Sequence, residues 1–260
     1  MMNDQTNHDP ADILLGDGAD FHPGFSVDCV IFGFHANELK VLLLKMKHAD
    51  GWALPGGFVH KTEDVEAAAG RVLHDRTGLT GVFLRQFYLF GGPDRSHSDF
   101  NRNMLEARQI SGGENHWFLQ RFLTLGFYAL VDFSRATPRP DALSDECRWW
   151  DLAAVTALIL DHAQILQKAL ETLRLQLDHE PIGYNLLPEK FTMPELQKLY
   201  ETILGKKLDR RNFQRRILGF GILERLEERR SGGAHKAPYF YRFDSHHYHQ
   251  ALREGLQGGW

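Results

Sequence analysis

The stretch GFVHKTEDVEAAAGRVLHDRTGL, Gly57–Leu79, decides how most of this chain folds. Val65, Ala68, Ala69, Val72 and Leu73 recur at helical steps, so the spacing predicts a helix over Thr62–Thr77 with Gly78 as its stop. A glycine-rich bend, Leu54-Pro55-Gly56-Gly57, leads into it. Upstream, SVDCVIFGF (Ser26–Phe34) and LKVLLLK (Leu39–Lys45) flank the polar turn HANE, as in a β-hairpin. Downstream, Val82–Phe90 and Arg121–Phe133 read as strands, the second strongly aromatic. Between them residues 96–116 are polar, include Ser-Gly-Gly, and read as an extended surface insertion loop. After Thr137–Pro140 and the pair Trp149-Trp150, a helix over about Ala163–Leu177 carries Leu166, Ala169, Leu170, Leu173 and Leu177 on one stripe. The expectation is an α+β chain whose residues 24–180 form a mixed sheet with helices packed on it, preceded by a flexible tail, residues 1–23.

Composition excludes several classes. With 260 residues, 43% hydrophobic and 12% aromatic, the chain can bury a core, so disorder does not describe the whole. Apolar runs such as Val41–Leu44 are far too short to cross a bilayer, and the polar, acidic start lacks the form of a secretory signal. Cys29 and Cys147 sit in apolar or aromatic contexts and read as buried reduced thiols rather than a disulfide framework. A cytoplasmic location and no membrane partner are expected.

Charge is uneven along the chain. Tyr184–Asp244 holds 13 Lys or Arg against 8 Asp or Glu, a net of +5, while the remainder carries 17 against 26, a net of −9. The basic module, residues 181–250, begins after Pro181-Ile182-Gly183 and precedes a short tail, residues 251–260. Thr192 as N-cap with Glu195 forms a capping box, Leu196, Leu199, Tyr200 and Ile203 make an apolar face, and Gly205 ends the helix. Asp209 then caps a second helix over about Arg210–Leu218, which completes a helix-turn-helix. At about 100° per residue, Phe213 and Ile217 point one way and Arg211, Asn212 and Arg215 the other, with Gln214 and Arg216 on the flanks. Arg210 falls nearer the apolar side, at the helix start where it still reaches solvent. Arg and Asn suit guanine and adenine edges in a major groove, and Lys206 and Lys207 suit phosphates. Ile222–Phe243 reads as a β-hairpin wing with a basic tip containing His235 and Lys236. The alternative is a small helical domain with a solvated basic surface, or one that binds protein.

Gly57–Leu79 resembles the Nudix box, G-x5-E-x7-R-E-U-x-E-E-x-G-U, where U is bulky and apolar. Gly57, Glu63, Arg71, Leu73, Gly78 and Leu79 fall on its landmarks, and Asp75 matches one in part. The resemblance implies a Nudix α/β/α sandwich followed by a C-terminal winged helix-turn-helix. Nudix hydrolases hold divalent metal at positions that match Val72, Asp75 and Arg76 here. One apolar residue, one short carboxylate and one cation make a poor Mg²⁺ site. No metal, no cofactor and no pyrophosphohydrolase activity are therefore expected, and Gly57, Glu63 and Arg71 are left with loop geometry and a loop-to-helix ion pair. The alternative is an active Nudix pyrophosphohydrolase with an accessory C-terminal domain.

The box together with Pro181–Glu224 resembles the Nudix-related transcriptional regulators, which include repressors of NAD metabolism and regulators of arabinose utilisation. That resemblance implies a homodimer, double-stranded DNA as partner, and a small-molecule effector that is a pentose or an ADP-ribose-like nucleotide. VDCVIFGF and the box look closer to the sugar-responsive branch. Trp52, Phe58, Arg71 and Arg95 are candidate effector-binding residues. Trp52 and Phe58 read equally as core, and Arg95 as a loop salt bridge. Trp149-Trp150 and Phe122–Phe133 read as core. The run Ser245-His246-His247-Tyr248-His249 lacks partners at a recognised ligand spacing and is not read as a metal site.

Overall fold

Ala36 and Asn37 both adopt positive φ, 50° and 64°, in the two-residue turn that joins β1 (Phe21–His35) to β2 (Glu38–Met46). Such a turn matches the right-handed twist of its flanking strands, so the apolar runs read from sequence close into a hairpin. The computed structural model describes residues 14–82, 84–95, 98–110, 113–141, 143–177, 180, 182–230 and 237–255. Val27–Phe32 and Val41–Leu44 are buried without alternation, the pattern of strands covered on both faces. The main sheet has seven strands, with order β3-β2-β1-β6-β5, β4 added to β1 and β7 to β2. Its remaining members are β3 (Trp52–Ala53), β4 (Gly56–His60), β5 (Leu84–Phe90), β6 (Leu123–Val131) and β7 (Ser144–Asp151).

Helix α1 (Val65–Thr77) packs on β4 and β5. Asp64 accepts the Ala67 N–H at 2.7 Å, and Gly78 closes the helix in the left-handed region, φ 73°. Further helices are α2 (Ser98–Ala107), α3 (His162–Gln176), α4 (Met193–Leu204), α5 (Arg210–Gly219) and α6 (Ser245–Glu254). The chain packs as two units. The first comprises the described residues up to Ile31, Val41–Ala129 and Ala136–Ala169. The second comprises Phe32–Lys40, Leu130–Arg135 and the described chain from Leu170 onward. Packing thus places the hairpin tip with the C-terminal helices, whereas the sequence boundary stands at 180/181.

Within the second unit, β8 (Phe191–Thr192), β10 (Tyr239–Phe243) and β9 (Leu223–Arg229) form an antiparallel sheet in that order. Leu196, Leu199, Tyr200 and Ile203 of α4 are buried with Phe213 and Ile217 of α5, and the Tyr200 and Phe213 rings lie 5.4 Å apart. The capping box at Thr192 and Glu195 is formed.

Five expectations need correction. The tail read as residues 1–23 ends early: Leu14 is fully buried against Met104, Leu105 and Phe118, and β1 already begins at Phe21, while residues 1–13 lie outside the described residues. The insertion read as a loop over 96–116 contains α2, because Phe100, Asn101, Met104 and Leu105 share one face and the last three are buried. The tail read as 251–260 is helical to Glu254, since Asp244 caps α6 by accepting the His247 N–H at 3.0 Å; residues 256–260 lie outside the described residues. The histidine run therefore lies on a helix whose Tyr248 is buried. Trp149 and Trp150 are half-buried on β7 rather than core, and Cys147 is likewise half-buried, whereas Cys29 is fully buried.

Met104→Ala should lower unfolding free energy by roughly 2–5 kcal/mol in urea denaturation. A cost near zero would return α2 to the status of a surface loop.

Candidate effector cavity and nucleic-acid interface

Arg71 and Glu63 staple the glycine-led loop to α1. Arg71 donates Nη2 to Glu63 Oε1 at 2.6 Å, Nε to Glu63 Oε2 at 3.2 Å, and Nη2 to the Phe58 carbonyl at 3.0 Å. Glu63 also accepts the His60 N–H at 2.9 Å. Burial pushes the Glu63 carboxyl up, but Arg71 and the His60 amide outweigh it, and the group titrates below its ordinary range. On the next turn Val72 is buried and faces Gly57, where an added Cβ would stand 3.0 Å from it. Asp75 is half-exposed beside His74, whereas Arg76 is 8% exposed and paired with Asp141 at 2.8 Å.

A cavity of about 160 Å³ opens beside this loop within the first unit. Its apolar wall includes Phe58, Met104, Phe118 and Phe122. The polar wall is made by Asp28, Arg95, Asn101 and His162, all less than a tenth exposed. Gly56 packs so closely under Asp28 that a Cβ there would lie 2.4 Å from Oδ1, which requires glycine. Arg95 gives Nε and Nη2 to Asp161 at 3.0 and 3.2 Å, Nη1 to the Phe122 carbonyl at 2.8 Å, and Nη2 to Asp28 at 3.5 Å. Its charge is matched within the protein, and the wall it shares with Asp28 carries no net positive charge.

His162 Nδ1 accepts the Leu54 N–H at 2.9 Å, which puts the imidazole proton on Nε2, 3.8 Å from Asp28 Oδ1. Burial depresses the His162 pKa, Asp28 and Asp161 pull it upward, and Arg95 adds to the depression. Asn101 is held by its Nδ2 bond to the Phe118 carbonyl at 2.8 Å.

Of the four effector candidates, Phe58 and Arg95 line the cavity. Arg71 is engaged by Glu63, and Trp52 lies against Trp150 at 5.0 Å and under Arg148 at 4.4 Å, outside the lining. Asp28, a lone charge inside the apolar run VDCVIFGF, carried a readable signal. His162 and Asn101 carried none, because each reaches the cavity from a distant segment.

In the second unit α5 presents Arg210, Arg211, Asn212 and Arg215 to solvent, with Arg215 Nη2 donating to Asn212 Oδ1 at 3.2 Å. Lys206 and Lys207 are exposed beside its start, whereas Gln214 and Arg216 are half-buried. Asp209 caps the helix by accepting the Asn212 N–H at 2.9 Å. The link from α4 is tied by Glu201, which accepts the Leu208 N–H, and by Gln197, which donates to the Leu208 carbonyl, each at 2.9 Å. On the wing, Tyr239 carries Arg229 at 3.9 Å and Arg225 at 4.7 Å over its ring, a stack that sequence did not reveal. His235 and Lys236, the expected wing-tip contacts, lie outside the described residues.

Residues 22–173, more than half of the chain, match the NUDIX domain. The chain belongs to the Nudix family. Residues 183–243 match the NrtR DNA-binding winged helix domain, so this Nudix protein carries a winged helix at its C-terminal side. It is 29% identical over 228 residues to the ADPR responsive transcriptional repressor NtrR of Acinetobacter baylyi, covering 85% of this chain and 82% of that one. The crystal structure of Shewanella oneidensis NrtR superposes with a TM-score of 0.66 at 26% identity, covering 85% of this chain and 94% of the other. The same protein complexed with a 27mer DNA shares the fold at TM-score 0.69 and 24% identity, covering 91% and 99%. No helix among the described residues is long and apolar enough to cross a membrane.

The residues at the Nudix metal positions do not fit a divalent cation. Val72 offers no ligand atom, and Arg76 is a buried cation already paired with Asp141. Asp75 alone cannot displace the waters of Mg²⁺. Among the described residues no group of three His, Cys, Asp or Glu is placed to hold a metal ion.

A histidine buried as the neutral form has a testable consequence. As pH falls below about 6.5 the unfolded chain takes up the proton first, so the stability that His162 contributes is present above that pH and lost below it. Tm should fall between about pH 7.5 and about pH 5.5, and His162→Gln should flatten this part of the profile. An unchanged slope in the variant would remove His162 as its source.

Proposed function

We propose that this Nudix protein is a ligand-responsive transcriptional repressor whose cavity binds a small metabolite and whose winged helix binds double-stranded DNA. The observation that carries the reading is the solvent-facing row Arg211, Asn212 and Arg215 on the capped α5 of a module that matches a DNA-binding winged helix. Arg and Asn there meet the donor and acceptor pattern of base edges, and Lys206 and Lys207 meet phosphates. The protein acts in the cytoplasm as a homodimer, and two copies place two recognition helices on one duplex.

An ADP-ribose-like nucleotide is the favoured effector, because the relative from Acinetobacter baylyi is named for its response to ADPR. This departs from the sugar-responsive branch that VDCVIFGF and the box resembled. The cavity is smaller than the ~300 Å³ that encloses a drug-sized ligand, so it receives one ring of the effector. Its hydroxyls face Asp28 and Asn101, and Phe58 or Phe122 covers the ring. Hydrolysis is not part of the function, since the metal that would activate water has no ligand set at Val72, Asp75 and Arg76.

Selection of genomic fragments by the pure protein, repeated with ADP-ribose and with pentoses, tests the whole reading. A specific fragment set released by one effector is the expected result, and weak binding indifferent to sequence would defeat it. Arg211→Ala and Arg215→Ala should each weaken the selected duplex by about 1–3 kcal/mol, roughly 5- to 150-fold. Unchanged binding by both variants would remove α5 as the recognition helix. With Mg²⁺ and a panel of nucleoside diphosphate derivatives, no phosphate product should form; robust turnover would restore the hydrolase.

A further inference from the structure

Two elements that line the cavity at one end touch one short segment at the other. The hairpin strands carry Ser26 and Asp28 on β1 and Leu44 and Met46 on β2 into the cavity wall. Between those residues they run out to the Ala36-Asn37 turn, where the Asn37 carbonyl lies 3.3 Å from Thr202 Oγ1, a hydroxyl shared with the Lys198 carbonyl at 2.7 Å. Helix α3 begins with His162 in the cavity wall and carries Arg174 in its last turn, whose Nε donates to the Ile203 carbonyl at 2.8 Å. Thr202 and Ile203 are neighbours in the last turn of α4. Both of these contacts lie within the second unit.

That turn also sets the start of the recognition helix. Glu201, one residue before Thr202, accepts the Leu208 N–H, and Leu208 immediately precedes Asp209, the N-cap of α5. Ile203 is fully buried, so the turn has little freedom to shift without its neighbours. The hairpin turn holds both of its residues in the left-handed region, and α3 runs unbroken for 15 residues from His162 to Gln176. We propose that the last turn of α4, at Glu201–Ile203, is where occupancy of the cavity is read by the DNA-binding module, through the Asn37–Thr202 and Arg174–Ile203 contacts.

This rests on the function proposed above and adds its route. A ligand that moves Asp28 or His162 biases the two contacts together, and the Glu201–Leu208 bond passes the change to α5. Effector control requires only that the ligand favour one arrangement over the other.

The test uses the full chain, the double variant Thr202→Val with Arg174→Gln, and Lys190→Gln as a control that breaks the exposed Lys190–Glu228 pair. Affinity for a duplex selected by the wild type is measured with and without saturating ADP-ribose. Wild type and control should lose roughly 5- to 150-fold on adding ADP-ribose. The double variant should keep DNA affinity within about threefold of wild type and lose less than about twofold on adding ADP-ribose. A loss in the double variant equal to wild type overturns the route. So does a double variant that no longer binds DNA, because the contacts would then only support the module.

A second arm needs no effector. By reciprocity, DNA binding should change amide exchange at Leu54, whose N–H bonds His162, in wild type and not in the double variant. No change in a wild type that does bind the duplex overturns the route alone. If the wild type binds neither DNA nor ADP-ribose, the proposed function falls and the route falls with it.

Discussion

A guanidinium removed from water must be matched by an anion, and at Arg76 that anion is Asp141. The pairing does more than neutralise a charge. The Arg76 and Thr77 carbonyls accept the Arg139 and Thr137 N–H groups at 3.0 and 2.9 Å, so the segment before Asp141 is laced to the end of α1. Asp141 in turn accepts the Ser144 hydroxyl and the Leu143 N–H, which fixes the entry to β7 and one side of the cavity. A position that holds a metal ligand in Nudix hydrolases has become a bolt between α1 and the cavity wall. Arg95 also pairs with a carboxylate, Asp161, and donates Nη1 to the Phe122 carbonyl. Breaking either pair from one side would strand a buried charge at a cost of about 3–5 kcal/mol.

Local patterns were legible where backbone chemistry is local. The Gly78 stop, the Thr192–Glu195 box and the Asp209 cap each lie within one helical turn of the residues they serve, and the structure forms all three. The main hairpin was legible because its turn tolerates Ala36-Asn37 between two apolar runs. The helix α2 was not, since the polar Asn101, Arg102 and Asn103 dilute its apolar face and the adjoining Ser-Gly-Gly reads as loop. The cavity was half legible. Phe58 and Arg95 stand near the glycine-rich signal or in a charged loop, whereas His162 reaches Leu54 across 108 residues of chain. No window of sequence holds both partners.

The C-terminal module shows a division between rigidity and adaptability. Phe213 and Ile217 are buried against α4, while the opposite face of α5 keeps Arg211, Asn212 and Arg215 in water, with Arg215 bonded to Asn212. Ordering such side chains against any partner costs side-chain entropy. The start of α5 is therefore set by the link at Glu201 and Leu208 rather than by its exposed side chains.

Leu14 has a practical consequence. It is sealed beneath α2 and Phe118, and the Gly16 carbonyl accepts the Trp117 indole N–H at 3.0 Å, so the start of the chain works as a cork for the aromatic wall. Pro23-Gly24 invites trimming as the natural beginning of the domain. A protein shortened to that point would uncork Met104 and Phe118 and expose a greasy flank, gaining a tendency to aggregate that has nothing to do with its DNA-reading half.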